Sequence, residues 1–200
     1  MRKIVVLSFI TLDGVMQAPG GSKEDTSEGF KYGGWSFAYG DETITKAIIK
    51  QVSQPFDLLL GRKTYDIWVN YWPKQKGQIG DPFNKCRKYI VSSKDIKLKW
   101  DPSTLITGDV VGQLKKLKQE DGPMLQVHGS GKLIQTLLKN DLVDELWLKT
   151  YPITLGSGKK LFAEGTIPTA FKLTDSSVSP SGVIIANYKR TGKIKPGAFE

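Results

Sequence analysis

Short apolar runs rich in β-branched residues alternate along this chain with stretches whose apolar side chains recur every three or four positions. That alternation constrains the fold more than any other feature, because a period of two and a period of 3.6 cannot bury the same face. Ile4 to Ile10 is nearly all apolar, as expected of a central strand covered on both sides. Asp41 to Val52 predicts a helix, with Asp41 as N-cap and Ile44, Ala47, Ile48 and Val52 on one face. Phe56 to Leu60 predicts a buried strand, and Arg62 to Asn70 a helix that Tyr71-Trp72-Pro73 ends.

The same alternation continues downstream. Arg87 to Ser92 and Thr104 to Thr107 predict strands, followed by a helix capped by Asp109 that turns Val110, Leu114 and Leu117 inward. Met124 to Val127 predicts a strand, Gly131 to Lys139 a helix and Val143 to Tyr151 another strand. Phe171 to Val178 and Val183 to Arg190 flank the turn signal Ser179-Pro180-Ser181-Gly182. The expected architecture is a three-layer α/β/α domain with a mostly parallel sheet and a C-terminal antiparallel hairpin. No repeat or linker divides the chain, so residues 1 to 200 are read as one domain.

The net charge of +9 is spread over separate lysines with no nucleic-acid-binding motif to organise them. Nucleic acid is therefore not an expected partner; solvated faces and a phosphate-bearing small ligand account for the charge. Only four apolar residues follow Met1-Arg2-Lys3 before Ser8, too few for a signal-peptide core, and no run nears the roughly 18 needed to span a bilayer. A cytoplasmic protein without a membrane segment is expected. The one cysteine, Cys86, excludes an intrachain disulfide and reads as an ordinary strand residue, although Lys85, Arg87 and Lys88 beside it would lower its pKa. One histidine and one cysteine do not make a metal site.

In open α/β sheets, ligands bind beyond the carboxyl ends of the strands, so the strand exits are the places to look. Gly61-Arg62-Lys63-Thr64 begins a helix with two cations in its first turn, an unfavourable placement unless an anion binds. His128-Gly129-Ser130-Gly131-Lys132 lets backbone approach a ligand closely but fits neither a Walker nor a full Rossmann pattern. Ser92-Ser93-Lys94 is either a sugar-phosphate contact or a plain polar strand exit, and Asp13-Gly14 on its own is an ordinary turn. Thr11 to Gly40 is a long glycine-rich loop, of the length usually functional or mobile, and its Trp35 is a candidate pocket-lining residue.

In this order, these exits resemble the dihydrofolate reductase superfamily, and within it the reductase domain of the bifunctional riboflavin-biosynthesis deaminase/reductase. Thr11-Leu12-Asp13-Gly14 is similar to that branch's Ser-Leu-Asp-Gly, Gly61-Arg62-Lys63-Thr64 to its Gly-Arg-x-Thr, and Ile90-Val91-Ser92-Ser93 to its strand end. Val127-His128-Gly129-Ser130-Gly131 resembles its triple-glycine loop with serine in the middle place, and Leu142 to Leu146 and Pro152 to Gly158 with Leu161-Phe162 match as well. The resemblance runs from Lys3 to about Lys189.

It implies a dihydrofolate reductase-like fold and a nicotinamide cofactor, NADPH rather than NADH because a 2′-phosphate needs cations. By the same resemblance Gly61, Arg62, Lys63, Thr64, Ser92, Ser93 and Lys94 hold the adenosine half and phosphates. His128, Gly129, Ser130, Gly131, Lys132 and Leu133 follow the pyrophosphate, and Phe9, Ile10, Met16 and Gln17 lie near the nicotinamide. Trp35 and Asp41 resemble the family's tryptophan and acid on the substrate side, which makes Asp41, or its neighbour Glu42, the candidate catalytic acid that helps protonate the product, although a helix cap explains Asp41 equally well. Three readings stay open: an NADPH-dependent reductase of a pterin-like or related heterocycle, a stand-alone 5-amino-6-(5-phosphoribosylamino)uracil reductase, and a non-catalytic nucleotide-binding protein. The resemblance also implies a homodimer, with the hairpin and the Val143 to Tyr151 strand as places to seek its interface.

Overall fold

The computed structural model describes residues 1–164 and 166–197. Its strands are β1 (Ile4–Thr11), β2 (Phe56–Gly61), β3 (Lys88–Val91), β4 (Ser103–Ile106), β5 (Met124–His128), β6 (Glu145–Tyr151), β7 (Ala170–Val178) and β8 (Ile184–Gly192). Its helices are α1 (Glu42–Val52), α2 (Arg62–Tyr71), α3 (Gly77–Lys85), α4 (Val110–Gln119) and α5 (Gly131–Lys139). The strands form a single sheet in the order β4-β3-β2-β5-β1-β6-β8-β7. Pairs from β4 through β6 are parallel; β8 runs antiparallel to β6, and β7 antiparallel to β8. The expected three-layer fold, mostly parallel with a C-terminal antiparallel hairpin, is therefore the observed one.

β1 sits between β5 and β6, which explains its apolar run: both edges are paired and both faces are covered. The pleat sends Ile4, Val6 and Ile10 to one side, where they meet Leu114 and Leu117 of α4 and Leu133, Ile134 and Leu137 of α5. On the other side lie α1, α2 and α3. There Phe56, Leu58, Leu60 and Ile90 pack with Tyr65 and Phe83, and Ile44 packs with Trp35, Tyr151 and Ile185.

α3 is absent from the sequence reading, because Gly77, Gly80 and Pro82 depress helix propensity. Tertiary packing overrides that preference. Phe83 is buried among Phe56, Trp68 and Trp72, with ring centroids 4.5–5.6 Å apart. Gly80 has to be glycine, since a Cβ there would lie 2.6 Å from the Gln75 carbonyl carbon. Cys86 is consequently not a strand residue; it caps the C-terminus of α3. Burial outweighs the lowering effect of the neighbouring Lys88 and pushes the thiol up to about 12.

Two other expectations change. The long Thr11 to Gly40 segment is fastened by side chains rather than left as an open loop. Gln17 donates to the Asp25 and Ser27 carbonyls and accepts the Lys159 N–H, while Lys159 Nζ pairs with Asp25. The Val143 to Tyr151 strand is a poor place for an interface, because β6 is hemmed in by β1 and β8. The free edge on that side is β7.

Candidate functional site

The carboxyl ends of β2 and β5 lie side by side, and each runs directly into a helix. Gly61 is the N-cap of α2 and Ser130 the N-cap of α5. Gly129 and Ser130 are both left-handed, at φ 54° and 65°, which turns the chain sharply enough to start α5 beside α2. The Ser130 hydroxyl accepts the Gly61 N–H at 2.8 Å and donates to Thr64 Oγ1 at 2.9 Å. Ser130 thus joins the two helix starts rather than capping its own.

Two adjacent helix N-termini present unpaired backbone N–H groups and add their positive dipole ends. Neither helix carries an acidic residue in its first turn, whereas α1 carries Glu42 there. Arg62, Lys63 and Lys132 add formal charge. A Cβ on Gly131 would meet nothing within 4 Å, so the approach to α5 is open. Such an arrangement suits a diphosphate. Arg62 is held along its helix by Asp66, at 2.7 Å from Nε to each carboxylate oxygen.

The other expected cofactor residues divide by where their side chains go. Ser93 and Lys94 are exposed beyond β3, but Ser92 is buried, its hydroxyl closing a turn with the backbone of Lys94. Leu133 is packed into the core and offers only backbone. Ile10 and Met16 point to the α4 and α5 layer, and the Gln17 amide is committed to the loop that it fastens. Phe9 alone of that group turns to the α1 side, its ring 5.4 Å from the ring of Tyr151. His128 lies against Trp68 and Phe83, with Nε2 3.0 Å from Gln126 Oε1. Burial, and then the neighbouring Lys149, push its pKa down to about 3, so it is neutral and adds no charge for phosphate.

Trp35 and Asp41 are placed more structurally than the sequence suggests. The Trp35 indole stacks edge-on against Tyr151 at 5.1 Å and donates to the Gln17 carbonyl at 2.8 Å. Asp41 caps α1, accepting the Ile44 N–H at 2.9 Å, and also accepts the Ser181 N–H from the hairpin turn at 3.2 Å. These bonds, the Ile44 one foremost, hold its carboxyl at about 2, leaving it no proton to give at neutral pH.

Sequence reading passed over Lys149 of β6. It is 2 % exposed, its Nζ donates to Gln51 Oε1 at 2.8 Å, and burial pushes its pKa down to about 7. The signal was present: Leu146-Trp147-Leu148-Lys149-Thr150-Tyr151 is an inner strand, and period two puts Lys149 on the same face as Trp147 and Tyr151.

The sequence profile of the RibD C-terminal domain matches residues 2–185. The chain belongs to the RibD C-terminal domain family. It is 26% identical over 196 residues to the uncharacterized protein YyaP of Bacillus subtilis, covering 96% of both chains. Among solved structures it superposes on a putative riboflavin biosynthesis protein from Shewanella sp. PV-4 with a TM-score of 0.68, at 21% identity, over 94% of this chain and 99% of that one. A dihydrofolate reductase from Enterococcus faecalis complexed with NADP(H) gives 0.58 at 11% identity, over 94% and 96%. At those identities the structural likeness carries the fold, which is dihydrofolate reductase-like. Among the described residues no helix is long and apolar enough to cross a membrane.

Proposed function

We propose that this member of the RibD C-terminal domain family is an NADPH-dependent reductase that acts on a pterin-like or related nitrogen heterocycle. The observation that carries the proposal is the pair of helix starts joined through Ser130, a two-lobed anion site free of first-turn carboxylates. The residues fit the cofactor. The α2 start, with Arg62 and Lys63, and the α5 start, with Gly129, Gly131 and Lys132, would hold its phosphates. Ser93 and Lys94 would face its adenosine end. When bound, the reduced nicotinamide supplies a hydride. The protein's part is to hold donor and acceptor together over Phe9, exclude water and provide a proton.

Family membership favours one narrower reading, a 5-amino-6-(5-phosphoribosylamino)uracil reductase. Calorimetric titration tests the cofactor: NADPH binds, and NADH binds roughly tenfold more weakly because it lacks the 2′-phosphate. If neither binds at millimolar concentration, the reductase reading is lost and a non-catalytic role takes its place. Turnover with dihydrofolate, set against the phosphoribosylamino-uracil, separates the two substrate readings. We further place self-association on the hairpin, where Leu173 and Val178 are exposed on the edge strand β7. A Leu173→Lys, Val178→Lys variant that elutes at the same size as the wild type would reject that placement.

A further inference from the structure

The face of α1 turned toward the C-terminal hairpin does not lie flush on the sheet. A cleft of about 200 Å³ separates the two. Its floor is a pair of cross-strand rows: Trp147 of β6, Asn187 of β8 and Asp175 of β7, with Ile185 and Ser177 beside them. Its opposite wall is Lys46, Ala47, Lys50 and Gln51, which recur along one face of α1. In the sheet β1 stands between β5 and this group of strands, and no residue of the cleft belongs to the helix starts of α2 and α5.

The cleft presents hydrogen-bond donors that the protein leaves unused. Gln51 is 7 % exposed, and its amide is oriented from behind: Oε1 accepts from Lys149 Nζ at 2.8 Å, which turns Nε2 away from that lysine. Among the described residues Nε2 meets no acceptor, and the enclosed atoms without a partner are Gln135 Oε1 and Asn187 Oδ1 only. Gln51 Nε2 is therefore open to the cleft that Gln51 lines. Asn187 is the second case. Its Oδ1 is enclosed and accepts nothing, while its Nδ2 donates to no described residue and is not enclosed. A leucine would fill the same place without an unpaired acceptor, so packing does not account for the asparagine. Lys46 and Lys50 add two ammonium groups at the rim. They are tied to Glu42 at 2.8 Å and to Asp175 at 3.2 Å by exposed ion pairs, which contribute little.

We propose that this cleft is a second small-molecule site, and that it takes an organic carboxylate about one ring in size. Gln51 Nε2 and Asn187 Nδ2 donate to the carboxylate oxygens, and Lys46 and Lys50 draw the anion in and exchange their surface partners for it. The body of the ligand lies on Trp147, Ala47 and Ile185. The Trp147 indole N–H already donates to Glu145 Oε2 at 3.0 Å, so that ring offers carbon surface alone. A cavity of about 150 Å³ accepts a benzene ring, so one ring fits. Acetate would leave the apolar surface uncovered, and an uncharged ring would leave the ammonium groups with nothing to gain. The site is independent of the reductase reading.

The test is a titration of isotope-labelled protein with benzoate, followed by NMR of the side-chain amide and indole N–H groups. Benzoate moves the Gln51 and Asn187 amide resonances and the Trp147 indole resonance, with half-saturation at about millimolar concentration. Benzamide, the ring without the charge, binds roughly tenfold more weakly, and so does acetate, the charge without the ring. Asn187→Ala weakens benzoate several-fold. Asp175→Asn, an exposed change that frees Lys50, tightens it about twofold. Any of four results overturns the inference: no movement of these resonances at roughly 50 mM benzoate, equal binding of benzamide, wild-type affinity in Asn187→Ala, or shifts confined to the backbone amides of Gly129 to Lys132. The last would place the anion at the helix starts instead. None of the four bears on whether NADPH binds.

Discussion

Ser130 Oγ and the backbone nitrogen of Gly61 lie 2.8 Å apart although the residues are 69 positions apart in sequence. One hydroxyl therefore sets the spacing of the two helix starts proposed as the anion site. Ser130→Ala removes this link and keeps the strained left-handed backbone, so it destabilises the protein by about 1 kcal/mol. Ser130→Gly loses the same bond but relieves a left-handed conformation worth a similar amount, leaving stability near wild type. Denaturant midpoints distinguish the two, and both variants bind NADPH several-fold more weakly because the helix starts are no longer joined.

Arg62 and Asp66 form an exposed i,i+4 pair on α2. Such pairs contribute well under 1 kcal/mol, so neither partner matters much to stability. Their effects on NADPH should be opposite. Arg62→Ala weakens binding about tenfold, as expected for one charge-assisted phosphate contact. Asp66→Asn releases Arg62 and tightens it. Titrations at two salt concentrations check both, with the difference shrinking at high salt.

Asp41 holds the start of α1 and the Ser181 turn together. Its carboxyl is at about 2 when folded against 3.8 when free, so this stabilisation is complete above pH 4 and is lost as pH falls toward 2. Asp41→Asn, which still caps, retains most of the melting temperature at pH 7 and flattens the acid limb. Asp41→Ala lowers the melting temperature at pH 7 as well. Thermal unfolding followed from pH 2 to 7 gives both curves.

Lys149 acts on stability in the opposite pH range. Folded, its amine is at about 7; unfolded, it returns to 10.5. Between those values the unfolded chain holds the extra proton, so wild-type stability rises with pH through that window and the full penalty persists below it. Lys149→Met removes a penalty on the order of 4 kcal/mol and with it the slope, and is the more stable protein at pH 7. Chemical denaturation at pH 7 and pH 10 measures the change.

Cys86 is held well above the ordinary thiol range by burial. It reacts slowly with a disulfide reagent at pH 8 in the folded protein and at once in denaturant, since only the thiolate attacks. Fast reaction under native conditions would show the end of α3 to be open.

The sequence by itself determined what local periodicity and local punctuation encode. β1 was readable because a strand paired on both edges and covered on both faces needs an unbroken apolar run. Gly129 marked the start of α5 because its left-handed backbone favours glycine, Gly61 the start of α2 because the Ser130 side chain approaches it closely, and Asp41 announced itself as a cap by its place before Ile44. The tertiary structure decided what depends on distant partners. α3 forms against its own glycines and proline because Phe83 finds an aromatic nest. Gln17 becomes a fastening because Lys159 arrives beside it, and Ser130 becomes a brace because β2 and β5 are neighbours. Lys149 looks like any lysine until β1, β8 and α1 close over it. Side-chain identity fixes what a group can do, but burial and partners, which only the assembled sheet supplies, fix its charge and its task.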